Sequence, residues 1–248
     1  MIARVTQNRA LLILLGAMAV TLAALLLVPV IPQDQSYHQF ADQRTLLGVP
    51  NFWNVVSNLP FIVIGAIGLA QFHRDPVTVV LFGGIFLTGF GSSYYHWSPS
   101  DGTLLWDRLP MTLGFMAILA AVIEERVDAE AGRIMLWPLL ALGIVSLLVW
   151  RWRDDLRLYA WVQFFPCLAL PVLFVLCPPK YTGAFYWVIA AAWYVVAKLM
   201  EQFDRAIDSA AGSILSGHTI KHLAAGAACY AILRYYQTRQ PIKVEDWS

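Results

Sequence analysis

Gly91-Ser92-Ser93-Tyr94-Tyr95-His96-Trp97-Ser98-Pro99-Ser100-Asp101-Gly102-Thr103-Leu104-Leu105-Trp106-Asp107-Arg108-Leu109-Pro110-Met111 stands between two apolar runs, residues 77–90 and 109–123. Each run is apolar enough for a membrane helix. Pro99 and Gly102 interrupt them, so two helices are expected to turn back on each other there. If the first helix continues to His96, Ser92 and His96 are four residues apart and share a face. Asp107 is then expected in the first turn of the returning helix. A histidine, a serine and an aspartate thus gather near one membrane surface. An aspartate at the centre of a bilayer costs about 2.5–3.5 kcal/mol on insertion scales, so ionisable groups in such helices are functional candidates.

Outward from this hairpin the same pattern recurs. Apolar runs at 10–31, 77–96, 107–123, 134–150, 158–176, 185–200 and 218–236, with a further helix opening at Asn51, make about eight segments long enough to cross a bilayer. The composition agrees: 59% of residues are hydrophobic and 13% charged, where a soluble domain has about 25% charged. No repeat, low-complexity tract or domain boundary divides the chain. An all-α, polytopic transmembrane bundle is expected. Pro60, Pro110, Pro138, Pro166 and Pro171 fall inside the spans and are expected to kink or break them locally. The formal net charge is +1, so no basic field points to nucleic acid. Cys167, Cys177 and Cys229 form no CxxC and no zinc-ribbon spacing and read as small buried hydrophobes.

The N-terminus carries Arg4 and Arg9 before the run 10–31. A signal peptide is the rival reading. The length of the run and the lack of an A-x-A site favour a retained anchor helix over residues 1–31. Residues 32–50 are polar and aromatic and read as an external loop or an interfacial segment. Asn54, Ser57 and Asn58 share one face of the next helix and are expected to hydrogen-bond neighbouring helices. His38 and His73 read as ordinary interfacial residues. The short-loop cations Arg4, Arg9, Arg74, Arg126, Arg133, Lys180, Arg234, Arg239 and Lys243 fall on one side if the N-terminus is inside. Arg44, Arg151, Arg153, Arg157 and Arg205 then lie outside. The bias places both termini in the cytoplasm.

The last span opens Ser216-Gly217-His218-Thr219-Ile220-Lys221-His222. His218 and His222 are four residues apart, a spacing that lets two imidazoles hold one metal ion from a single helix. Thr219 follows the first histidine, so the zincin H-E-x-x-H motif is absent. Counting crossings brings His96, Asp107, His218 and His222 to one depth. Three histidines with an open position match a catalytic zinc site. Haem ligation by two histidines is the alternative; the third histidine, Asp107 and Ser92 argue against it. Lys221 is expected to point off the histidine face and pair with an acid from the cluster Lys198, Glu201, Asp204 and Arg205, which reads as an interfacial ion-pair set.

These residues resemble the alkaline ceramidase family, part of a superfamily of integral-membrane hydrolases that includes the progestin and adiponectin receptors. Three blocks carry the resemblance. Asn54-Val55-Val56-Ser57-Asn58 is similar to the family's N-T-x-S-N. Gly91-Ser92 with His96, followed by Asp107-Arg108-Leu109-Pro110-Met111, is similar to G-S-x-x-x-H and D-E-L-P-M. Gly217-His218 with His222 matches G-H-x-x-x-H. The resemblance implies a seven-helix core over residues 51–236, here preceded by one extra N-terminal helix and followed by a cytoplasmic tail, 237–248. It implies a buried Zn2+ on His96, His218 and His222, with Ser92 and Asp107 as the active-site serine and aspartate. Two departures stand out. Arg108 replaces the family's Glu. The acidic calcium-binding loop is not matched, since Asp42 is the one carboxylate left and Asn51 stands where a Glu would be; Ca2+ is not expected.

The chemistry implied is zinc-dependent hydrolysis of the N-acyl amide of a ceramide-like lipid drawn from the bilayer. Asp107 is either the general acid–base group or a carboxylate that orients a histidine ligand. Ser92 either holds the attacking water or donates to the developing oxyanion. The expected setting is a bacterial inner membrane, with the site toward the non-cytoplasmic side. The alternative is a receptor or transporter of the same superfamily with a structural zinc. Oligomeric state is not readable from the sequence.

Overall fold

Because the chain carries one long apolar run after another, its backbone polar groups must be satisfied within helices wherever lipid surrounds them. The computed structural model describes residues 2–242, with side chains from residue 9 onward. Lys243, the end of the 237–248 tail and the Arg4 side chain lie outside the described residues. The helices are α1 (Ile2–Ala24), α2 (Phe52–Val56), α3 (Leu59–Gln71), α4 (Pro76–Trp97), α5 (Asp101–Val122), α6 (Ala129–Arg153), α7 (Arg157–Leu176), α8 (Phe185–Gln202), α9 (Asp204–Ala210) and α10 (Gly217–Thr238). Among the described residues, six passages are long and apolar enough to cross a membrane: Arg9–Leu27, Phe52–Gln71, Pro76–Trp97, Asp101–Val127, Ala129–Arg153 and Arg157–Leu176. α8 and α10 are 18 and 22 residues long. They fall short on composition, since α8 carries Lys198 and Glu201, and α10 carries His218, Lys221 and His222. With α2 and α3 taken as one passage, seven long helices follow α1, so the polytopic bundle is a seven-helix core with one extra helix in front.

Two sequence expectations are corrected. α5 starts at Asp101, six residues before the expected start, so Asp107 sits in its second turn. The reason is a capping box: the Thr103 N–H donates to Ser100 Oγ at 3.2 Å, and the Ser100 N–H donates to Thr103 Oγ1 at 3.1 Å. Such a cap satisfies donors that a helix start leaves orphaned. The link between α4 and α5 is therefore only Ser98, Pro99 and Ser100, and Gly102 is helical. The prolines are the second correction. Pro60 opens α3 after the turn at Ser57–Asn58, but Pro110, Pro138, Pro166 and Pro171 lie inside helices that run on through them.

Pro110 also explains how α4 meets α5. Lacking an N–H, it leaves the Trp106 carbonyl without its helical donor. Gly91 of α4 packs against that carbonyl, so close that a Cβ there would lie 2.1 Å from Trp106 O and 3.4 Å from Asp107 Cα. The contact draws Ser92 alongside Asp107. The main core, including Leu81, Phe82, Met116, Leu119, Leu136 and Leu233, fills the bundle away from this end. A second cluster of Phe40, Tyr95, Leu104, Leu147, Trp150 and Tyr159 packs around it.

Residues 28–51 do not hang free as an external loop. They run across the end of the bundle as a strap. The Leu156 N–H donates to Ile31 O at 2.8 Å, and the Gln33 N–H to Asp154 Oδ1 at 2.8 Å. The Gln35 side chain donates to Asp101 Oδ2 at 3.1 Å, and the Ala41 N–H to Asp204 Oδ2 at 3.0 Å.

Candidate metal centre

His96 closes α4, and His218 and His222 open α10. All three are buried, and one ligand atom from each lies within 4.8 Å of the others. His96 Nε2 and His218 Nε2 are 3.3 Å apart. Two nitrogens bound to one tetrahedral zinc at about 2.0–2.1 Å are separated by about 3.3–3.4 Å, so the spacing fits a shared ion.

A hydrogen bond orients His222. Ser57 Oγ lies 2.8 Å from His222 Nδ1 and 3.2 Å from Asn54 O. With Nδ1 engaged by Ser57, Nε2 is the ring nitrogen left for a metal. Orientation of a ligating histidine through its other nitrogen is the usual outer support of a metal site. Asn54 in turn accepts from Thr219 Oγ1 at 2.9 Å and donates to Asp42 O at 3.3 Å. Asn54 and Ser57 therefore reach the neighbouring helix α10 as expected, whereas the Asn58 amide donates back to Asn54 O and Val55 O of its own segment.

The start of α10 is held just as tightly. Gly217 lies where a Cβ would be 2.3 Å from Met200 O and 2.7 Å from Asp204 Cα. This approach lets Asp204 Oδ1 accept from the His218 N–H at 2.7 Å, while Ser216 Oγ accepts from the Thr219 N–H at 3.1 Å. Two orphan donors of the first turn are thereby satisfied. On the α4 side, Asn51 adopts a left-handed conformation, φ 47°, which asparagine tolerates better than most residues. Its amide donates to His96 O at 2.8 Å.

Asp107 and Ser92 are buried beside this cluster, with Ser92 facing the Asp107 carboxylate. Asp107 Oδ1 and His96 Nδ1 are buried without a hydrogen-bond partner. A buried carboxylate oxygen left bare is the mark of a position completed by a ligand or water. The three imidazoles form a donor set that fits zinc, and Ser92 and the Asp107 carboxylate face each other at the same end of the bundle. Lys221 departs from expectation in direction. Its Nζ pairs with Glu201 Oε1 at 2.6 Å, as anticipated, but also lies 3.4 Å from His218 Nε2. Lys198 shares the same Glu201 carboxylate. Asp204 serves as a cap and strap anchor. Arg205 forms no ion pair among the described residues.

Sequence reasoning missed Phe40, whose ring packs 4.6 Å from the His96 ring and 4.8 Å from that of His218. It also missed the cap by Asp204. Neither has a sequence signal, because the first depends on the path of the strap and the second on the close approach of Gly217 to α9. His38 is a structural residue as read, bridging Tyr95 Oη at 2.9 Å and Asp101 Oδ1 at 3.1 Å. Asp42 has Arg44 on both carboxylate oxygens, each at 2.8 Å.

Fold and site together define a multi-pass helical membrane protein with a buried cluster of three histidines able to hold a metal. The family profile described as Ceramidase matches residues 48–245, and the chain belongs to that family. The match begins just before α2 and leaves α1 and most of the strap outside it. No curated protein matches the chain.

Proposed function

We propose that the protein is a zinc-dependent intramembrane amidase that cleaves the N-acyl bond of ceramide-like lipids, releasing a sphingoid base and a fatty acid. The observation that supports this reading is the meeting of His96, His218 and His222 at the end of the bundle where Ser92 faces the Asp107 carboxylate. A zinc ion held by the three histidines supplies Lewis acidity toward the amide carbonyl and acidifies water at neutral pH. Asp107 takes the proton from the attacking water and returns it to the departing nitrogen, which must leave as an amine. Ser92 donates to the carbonyl oxygen as negative charge develops there. Phe40 and the strap cover the cluster and keep bulk water from it. We place the site toward the non-cytoplasmic side of a bacterial inner membrane, following the Lys and Arg distribution.

The purified protein is expected to hold about one zinc per chain, by the ligand count of a three-histidine site, and to hydrolyse N-acylsphingosine in mixed micelles. Chelation should abolish turnover, and added zinc should restore it. Asp107→Asn should keep the metal and lose about 10²–10⁴ in rate. Elemental analysis without zinc, or zinc unchanged in the His218→Ala/His222→Ala double variant, would sink the metal assignment. A zinc-loaded protein that cleaves no amide would leave the receptor or transporter reading with a structural zinc.

A further inference from the structure

Arg108 follows Asp107 on α5 and is buried, 5% exposed. Its guanidinium carbon lies 4.3 Å from the Trp150 ring, 4.6 Å from that of Tyr159 and 5.6 Å from that of Tyr37. It forms no ion pair and no side-chain hydrogen bond among the described residues, and Nη1 is buried without an acceptor. Aromatic faces attract a cation, but they do not accept five N–H bonds. A buried cation without an anion is expensive, and the usual solution is a paired carboxylate.

The carboxylates at this end of the molecule are committed elsewhere. Asp42 is held by Arg44, Asp155 by Arg157, and Asp101 by His38. Asp204 accepts from two backbone N–H groups. Glu201 serves Lys198 and Lys221 and also accepts from Tyr37 Oη at 3.3 Å. Asp107 is the immediate neighbour, yet its bare Oδ1 and the bare Nη1 do not meet. Lys198 and Lys221 share Glu201, whereas Arg108 has no carboxylate of its own among the described residues. One guanidinium edge remains for something outside the chain.

Its position says which part of a lipid that is. Arg108 sits beneath Tyr37 of the strap, at the ends of α6 and α7 that carry Trp150 and Tyr159. Tyr37 joins it through Glu201 and Lys221 to His218. This is the surface side of the histidine cluster, where a headgroup lies, while acyl chains extend toward the bilayer interior. We propose that Arg108 is a specificity-determining residue that binds an anionic group on the headgroup side of the scissile amide, so that among the N-acyl lipids the site accepts, those with an acidic headgroup bind more tightly than their neutral counterparts. The inference rests on the amidase reading above. The planar fork of arginine matches a carboxylate, phosphate or sulfonate in two parallel N–H bonds.

The test compares N-lauroylglycine with N-lauroylethanolamine, which share chain and amide and differ by a carboxylate against a hydroxymethyl group. Binding to the purified full-length protein in neutral detergent is measured by titration calorimetry, with hydrolysis followed in parallel. The glycine conjugate should bind about tenfold or more tightly, as a charge-assisted contact provides. Arg108→Gln should erase that ratio and leave the ethanolamide affinity in place. If Arg108→Gln does not fold, Arg108→Lys takes its place; it should cut the ratio several-fold, because an ammonium cannot make the paired contact. Equal affinities in the wild type, or a ratio that survives the substitution, would overturn the proposal. Hydrolysis without acidic preference removes only this inference. Arg108-dependent binding without hydrolysis of either amide removes the amidase reading and leaves the anion site.

Discussion

Ser57 Oγ sits 2.8 Å from His222 Nδ1. That contact holds the ring and leaves Nε2 for a metal. Ser57→Ala removes the partner of Nδ1 without opening a cavity of any size. The expected outcome is a folded protein whose zinc affinity falls about 10–100-fold, read by competition with a chromophoric chelator; an unchanged dissociation constant would show that Ser57 does not orient the ligand. At this scale the sequence exposes spacing and little else. His96 four residues from Ser92, and His218 four from His222, are visible because helical periodicity converts spacing into a shared face. The Arg108 cage is invisible, since Trp150, Tyr159 and Tyr37 come from three separate elements. Lys221 was misdirected for a related reason. Spacing gives the face on which a residue starts, whereas a four-carbon stem lets its ammonium reach back to His218.

Among the elements, α4 and α5 are held together by backbone contact at Gly91. Gly91→Ala is expected to push the helices apart and lower stability by about 1–3 kcal/mol or more, as overpacking does, with loss of bound zinc because Ser92, His96 and Asp107 move with them. Gly83→Ala is the control on the same helix, since its nearest neighbour would be Leu69 Cδ2 at 4.0 Å. Thermal unfolding and metal content measured on both should separate; equal behaviour would remove the close-approach argument. The strap is an element too. Burial alone would raise the Asp42 carboxyl, but hydrogen bonds from the Arg44 side chain and backbone outweigh it and hold the pKa below the ordinary carboxylate value. A depressed folded pKa gives stability that is present above the unfolded value, about 3.9, and is lost as pH falls through the folded one. The strap should therefore loosen only in that acidic window. Proteolysis within residues 32–50 should rise there, and Asp42→Asn should show the same susceptibility at neutral pH; a cleavage rate flat across that window would refute the linkage. The helix start at Asp101 escaped sequence reading because Gly102 carries a breaker's prior, and the capping box of Ser100 and Thr103 overrides it.

For the whole molecule, four of the nine cations expected in the cytoplasm lie together. Arg74, Arg133, Lys180 and Arg239 line one cleft with Asp75, Glu124 and Glu125, at the helix ends opposite the histidines. That separation of a basic end from a metal-binding end makes orientation testable. In a background free of native cysteines, Ser98→Cys, on the exposed link between α4 and α5, should react with an impermeant thiol reagent in intact cells. Ala129→Cys, at the exposed start of α6, should react only after the membrane is opened. The reverse pattern would put the chemistry on the cytoplasmic side. The bundle itself was legible because long apolar runs need no tertiary information. α8 and α10 were harder, since the ionisable groups that make them useful dilute the signal that marks a span.

The contact between His96 and His218 joins residues 122 apart in the chain, and α5, α6, α7 and α8 are made in between. At a translation rate of about 5–20 residues per second, roughly 6–24 s pass between the emergence of the first imidazole and its partner. Throughout that interval Asp107 and Arg108 are already in the growing bundle, while the helix carrying the other two histidines has yet to leave the ribosome. Metal capture is therefore a late event in biosynthesis, and a chain that stops short of α10 has no means of achieving it. Under the proposed zinc assignment, occupancy in the cell would serve as a record of completed assembly, distinguishing finished molecules from interrupted ones.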